Sequence, residues 1–258
     1  MNKNIQLTIA LLLISIASLQ QAAAQSASGI ALVNQSDRNA GGRVDEEVIY
    51  QVSRIDRLME GDYDGKATFG SLKKYGDFGL GTFEGVDGEM ACLDGQFYQI
   101  KTDGVAYNVK GGIKTPFANL TWFKADETVK LTQPMTLSKL QAYMQENLVE
   151  PEGYYAIRIS GEFEYVKTRS VHSQQEPYPP LADVIAQQVA FEFEQIEGTM
   201  VGFFFPDEVA GENVTGFHFH FLTENLKSGG HLLDCRIKNV TVAVDRSSGI
   251  KWTAREGN

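Results

Sequence analysis

Cysteine and histidine are scarce in this chain: two of the first and four of the second in 258 residues. Two thiols, Cys92 and Cys235, exclude a disulfide-dense scaffold or a Cys-rich zinc module. They can pair with each other or stay as buried small hydrophobes, and the sequence leaves both open. Past Leu19 no apolar run approaches the ~20 residues of a membrane-spanning helix. Positive charge is also short. Lys and Arg number 23 against 33 Asp and Glu, a formal charge of −10 with no basic stripe, which disfavours nucleic acid and anionic lipid as partners. A small anionic substrate would need a local cation, either a metal or a well-placed Arg. The Gly-rich turns lack the Lys of a phosphate loop, there is no Gly-x-Ser-x-Gly elbow, and neither Cys has a convincing base partner. The acidic stretch Glu60 to Gly65 offers Asp62 and Asp64, but the twelfth position of a calcium loop falls on Ser71 where a Glu is required.

What is present begins with a leader. Lys3 precedes an apolar run from Leu7 to Leu19, then Ala22-Ala23-Ala24, the order of a cleavable secretory signal over residues 1–24. No Cys follows it, which argues against a lipoprotein. The expected destination is the periplasm or the medium, with no membrane contact after cleavage and, with Lys3 gone, a charge of −11. Residues 25–47 read as a loose polar lead-in.

From Val48 on, strand-like alternation dominates. Met90–Leu93, Phe97–Ile100 and Val105–Val109 are bounded by Asp87-Gly88, Asp94-Gly95 and Asp103-Gly104, and Asp-Gly between alternating runs predicts hairpins. Ile55, Leu58 and Met59 suggest a helical turn. Leu137, Leu140, Met144 and Leu148 share a helical face behind Thr136, a natural N-cap. Leu181, Val184, Ile185 and Val189 suggest a second helix after Pro177, Pro179 and Pro180. Strands are expected at Tyr154–Phe163, Phe191–Ile196, Thr199–Phe205, Gly216–Leu222 and His231–Val244, the last as two. The expected architecture is α/β in the α+β sense and β-rich. It has an N-terminal unit over 48–140 and a C-terminal α/β unit over 141–258, with the boundary between 132 and 152.

Three of the four histidines crowd into fourteen positions. In Gly216-Phe217-His218-Phe219-His220-Phe221-Leu222, period 2 puts His218 and His220 on one face and the three Phe on the other. Asn225 and Gly229-Gly230 turn the chain, and a hairpin would bring His231 beside His220. Three imidazoles in that arrangement suit a catalytic zinc ion with one position open. A fourth ligand for a closed structural site is missing nearby, since Cys235 lies four residues beyond His231. His172 has no neighbour in sequence to act with.

Many separate blocks then resemble one family. They are Gly76-Asp77-Phe78-Gly79-Leu80-Gly81-Thr82-Phe83, Asp87-Gly88-Glu89, Phe97-Tyr98-Gln99, Thr115-Pro116-Phe117-Ala118, Arg158, Lys167-Thr168-Arg169-Ser170, Gly198-Thr199-Met200-Val201-Gly202, Gly216 to His220 and Gly229-Gly230-His231. In this order they resemble the α-acetolactate decarboxylases over nearly all of the chain past the leader. The resemblance implies two sheet-containing domains with zinc in the cleft between them, and decarboxylation of 2-acetolactate to acetoin and carbon dioxide through a metal-stabilised enediolate. It implies His218, His220 and His231 as metal ligands, and Glu89, Arg169 and Thr82 as active-site residues. It also implies a second acidic residue from a C-terminal tail, for which this sequence offers Glu256. Arg158 is the alternative to Arg169. The implied partner is a small anionic 2-hydroxy-3-oxo acid, and a homodimer is compatible with the reading. Two other readings stay open at this point: another zinc lyase or hydrolase on the same scaffold, and a secreted metal-binding module without catalysis.

Overall fold

The protein, as a computed structural model, is described over residues 44–253. The leader, most of the lead-in and Glu256 lie outside those residues.

The first half contains a four-strand meander whose turns carry its Asp-Gly pairs. β1 (Ile49–Val52) leads into the short helix α1 (Ile55–Met59). A two-residue strand β2 (Ala67–Thr68) and the single-turn helix α2 (Phe69–Leu72) follow. Then come β3 (Phe78–Thr82), β4 (Glu89–Leu93), β5 (Gln96–Ile100), β6 (Ala106–Asn108), β7 (Lys114–Thr115) and β8 (Ala118–Thr121). Between β4 and β5, Asp94 and Gly95 both have positive φ, 51° and 76°, and Leu93 faces Gln96 across the ladder. That is the two-residue turn whose twist matches paired strands.

The second half contains β9 (Glu127–Leu131), β10 (Met135–Thr136) and the helix α3 (Leu137–Asn147). β11 (Tyr154–Ser170), the five-residue helix α4 (Leu181–Ile185), β12 (Val189–Phe205), β13 (Gly216–Thr223), β14 (Gly229–Ser247) and β15 (Ile250–Trp252) complete it. The Thr136 hydroxyl accepts the Lys139 N–H and caps α3. Leu140 and Met144 on its inner face are fully buried, each contributing roughly 1.5–3 kcal/mol of apolar transfer. Among the described residues no helix is long and apolar enough to cross a membrane.

Two sheets result. Seven strands run in the order β15-β1-β8-β3-β4-β5-β6, mixed because β15 lies parallel to β1. An antiparallel sheet has the order β10-β14-β11-β12-β13, with β9 also on β14. The first residues of β14 pair with β13 as well as β11, so the ladders β11–β12–β13–β14 close on themselves at that end. Phe78, Leu80, Ala91 and Ile100 of the mixed sheet form one apolar cluster with Ala156, Val201, Phe203 and Leu222 of the antiparallel sheet. On the far side of the antiparallel sheet, Ile157, Ile159 and Val242 pack with Leu140 and Met144 of α3.

Three expectations shift. The His231–Val244 segment is one strand, not two, because bulges along its ladder with β11 absorb the breaks in alternation. The two expected strands from Phe191 to Phe205 are likewise one, with Gln195 at φ 47° marking the irregularity. The helix expected through Val189 stops at Ile185, since Val189 pairs with Ser170 to open β12. Cys92 and Cys235 are both free and buried.

Candidate metal centre and active site

Sheet register builds the site. His231 on β14 stands opposite His220 on β13 and, on its other side, opposite Arg169 on β11. Residues directly across a ladder point to the same face, so Arg169, His231 and His220 form a row over three strands, with His218 two positions along β13. Phe219 and Phe221, on the alternate face, are buried in the core beside α3.

The imidazole nitrogens converge. His218 Nε2 lies 3.2 Å from His231 Nδ1, which lies 3.3 Å from His220 Nε2. A tetrahedral ion with bonds of ~2.0–2.1 Å holds its nitrogens about 3.3–3.4 Å apart. His220 Nδ1 lies 2.7 Å from the Met90 carbonyl. A carbonyl only accepts, so Nδ1 carries the proton and Nε2 presents its lone pair to the centre. Desolvation drives His218 and His231 well below the ordinary histidine range, with neighbouring imidazoles and Arg169 adding to it. Burial brings His220 down to about 3, against the opposing pull of the Met90 carbonyl and with the help of Arg169. Three neutral imidazoles with convergent ring nitrogens are a ligand set, and together they can hold a metal ion.

The mixed sheet supplies the acid. Glu89 opens β4, its Oε1 2.7 Å from Arg169 Nη1 and its Oε2 3.5 Å from His220 Nε2. Burial raises its pKa, opposed by the Arg169 charge. Burial thus favours the protonated carboxyl while Arg169 favours the carboxylate, opposing pulls on a single group that suit acid–base work.

These groups line one cavity of about 320 Å³. The rest of its wall is mostly apolar: Leu58 of α1, Val86, Phe117 and Val171, and Leu181 and Ile185 of α4. Those wall residues are what sequence reading misses. α1 and α4 are legible as apolar segments, but nothing in them says that they face a cavity. The Met90 carbonyl is equally silent, since backbone chemistry carries no residue signature.

Of the other candidates among the described residues, only Thr82 reaches the cavity, but its hydroxyl donates to the Gly88 carbonyl at 2.7 Å. Arg158 pairs with Asp94 at 2.8 Å, away from the histidines. His172 lies next to the Thr102 hydroxyl, outside the cluster. Asp62 of the acidic loop binds Lys66.

Comparison with known proteins gives one consistent result. A family model described as alpha-acetolactate decarboxylase matches residues 49–256. The chain is 50% identical over 202 residues to an alpha-acetolactate decarboxylase of Methanosarcina mazei, covering 78% of this chain and 70% of that protein. It is 44% identical over 215 residues to one of Methylococcus capsulatus, covering 83% and 82%. The crystal structure of alpha-acetolactate decarboxylase from Bacillus subtilis superposes with a TM-score of 0.79 at 38% identity, covering 81% of this chain and 89% of that one.

Proposed function

From the premise that this chain belongs to the alpha-acetolactate decarboxylase family, we propose how its residues divide the work of the reaction. The activity is that of an acetolactate decarboxylase, converting 2-acetolactate to acetoin and carbon dioxide. The proposed ion is zinc, held by His218, His220 and His231, and it supplies Lewis-acid stabilisation of developing negative charge on the substrate's oxygens. The observation that carries this reading is the trio of neutral, convergent imidazole nitrogens at 3.2 and 3.3 Å.

Arg169 orients the substrate. One guanidinium nitrogen is engaged by Glu89, and the rest of the five-donor fork can receive a carboxylate. As the carbon–carbon bond to the carboxylate breaks, carbon dioxide leaves and the electron pair passes toward the neighbouring carbonyl oxygen. Glu89, which takes up one proton from water in each turnover, then delivers it to the carbon that lost the carboxylate, which completes acetoin. Leu58, Phe117 and Leu181 accept the substrate's methyl groups and keep bulk water from quenching the charge elsewhere. In this reading the two sheets act as two lobes, with the site in the crevice between them, and residues 1–24 direct export. Glu256 is proposed as a second acid at the same site.

The test is acetoin formation from racemic acetolactate with metal content measured in parallel. Activity should vanish on chelation and return with one zinc per chain. A metal-free chain of undiminished activity would sink the metal assignment. N-terminal sequencing of exported protein should begin at Gln25, and an intact Met1 in that fraction would overturn the leader.

A further inference from the structure

The two peptide carbonyls immediately before Glu89 are each held by a side-chain donor from a flanking strand. Thr82 Oγ1 on β3 donates to the Gly88 carbonyl at 2.7 Å, and Gln99 Nε2 on β5 donates to the Asp87 carbonyl at 2.6 Å. Gln99 Nε2 also reaches Asp87 Oδ2 at 3.0 Å, where Lys101 Nζ binds at 2.6 Å. Both Thr82 and Gln99 are buried; the Thr82 bond is wholly shielded from competing water and the Gln99 bonds partly so.

The turn they grip is not one the chain adopts freely. Val86 has φ 47°, a region that a β-branched side chain enters only under constraint. Gly85 and Gly88 flank it at φ 69° and 87°, and a Cβ on Gly88 would lie 2.4 Å from the Ile100 carbonyl. Val86 is buried and lines the cavity, and one residue past Glu89 the Met90 carbonyl fixes His220. The turn therefore sets three things together: an apolar wall, the Glu89 carboxylate, and the carbonyl behind a ligand.

We propose that Thr82 and Gln99 are positioning residues, a two-sided clamp that holds this turn and thereby aims Glu89 at Arg169 and the reacting carbon. Thr82 acts through its bond to Gly88 and not by touching substrate. Asp87 and Lys101 act on the Gln99 side of the same clamp. The inference rests on the proposed role of Glu89 as proton donor.

The test uses Thr82→Val and Gln99→Leu, each close in shape and lacking the donor, with Thr82→Ser as the conservative return of the hydroxyl. kcat should fall about 10- to 100-fold in the first two, KM should stay within about threefold, and Thr82→Ser should recover most of kcat. Hydrogen exchange of residues 84–90, followed by mass spectrometry on the zinc-loaded full chain, should quicken in Thr82→Val and Gln99→Leu while α3 keeps its protection. Unchanged kcat and unchanged exchange in both would overturn the clamp. So would a fall in kcat that only follows loss of folded protein, with exchange rising everywhere. A wild-type chain that forms no acetoin would sink the proton-donor reading. The exchange comparison would still decide the clamp in that case.

Discussion

Glu89 and Arg169 are a buried ion pair at 2.7 Å, and such pairs are unforgiving of half-removal. Arg169→Leu strands a carboxylate in the cavity wall and should cost about 3–5 kcal/mol, read as a lower urea midpoint. Replacing Glu89 by Leu as well should restore much of that stability without restoring turnover. Glu89→Gln keeps the shape and the Arg169 contact but cannot supply the proton. Its kcat should drop roughly 10²- to 10⁴-fold with zinc content unchanged, and near-normal kcat would remove Glu89 from the chemistry. At this scale the sequence was legible for the three histidines, whose H-x-H spacing maps directly onto one strand face. It was also legible for Glu89 and Arg169 through the family resemblance. It was not legible for Gln99 or the Met90 carbonyl, because their significance is a distance across a ladder and not a residue type.

The elements most readable in advance were those with a local cause: the Asp-Gly hairpins, and α3 with its Thr136 cap. The ones misjudged had causes distant in sequence. β14 runs unbroken because β11 pairs with it for most of its length, and α4 ends early because β12 claims Val189. One glycine shows how tightly these ladders set the site. Gly230, at φ 134°, precedes His231, and a Cβ there would lie 2.4 Å from the Arg169 carbonyl. Gly230→Ala should push β14 off β11 at the row that carries Arg169 and His231. Zinc affinity, measured by competition with a chromophoric chelator, should weaken at least tenfold. An unchanged affinity would show that the hairpin tolerates the shift.

For the molecule as a whole, two linkages follow. Zinc bound only by the folded chain stabilises it by RT ln(1 + [Zn]/Kd), so Tm should climb with free zinc and fall on chelation. A Tm indifferent to zinc would argue against a folded-state site. Burial lifts the Asp245 carboxyl to about 6, with the Lys124 N–H pulling it down and Asp126 and Glu47 pushing it up. Its folded pKa thus exceeds the unfolded value near 3.9. The folded chain holds the extra proton between those values, and stability falls as pH rises from about 4 to about 6. Asp245→Asn should gain about 1–2 kcal/mol at pH 7, after allowance for solvent screening, and nothing near pH 3. Equal unfolding midpoints at both pH values would refute it. The division of strands between the two sheets was the least legible feature. β15, the last described strand, joins the first strand β1 in parallel, and no local pattern announces a partner two hundred residues away.

The facing of His220 by His231 has a consequence for folding. Side chains alternate along a strand, so a slip of one residue between β13 and β14 would turn one imidazole to the opposite face. Phe219 or Phe221 would then stand where a ligand belongs. A misaligned hairpin can still bury apolar surface and make backbone bonds, but it cannot gather three nitrogens. If the trio holds zinc as proposed, ion retained after refolding would count the molecules whose strands are in the right frame.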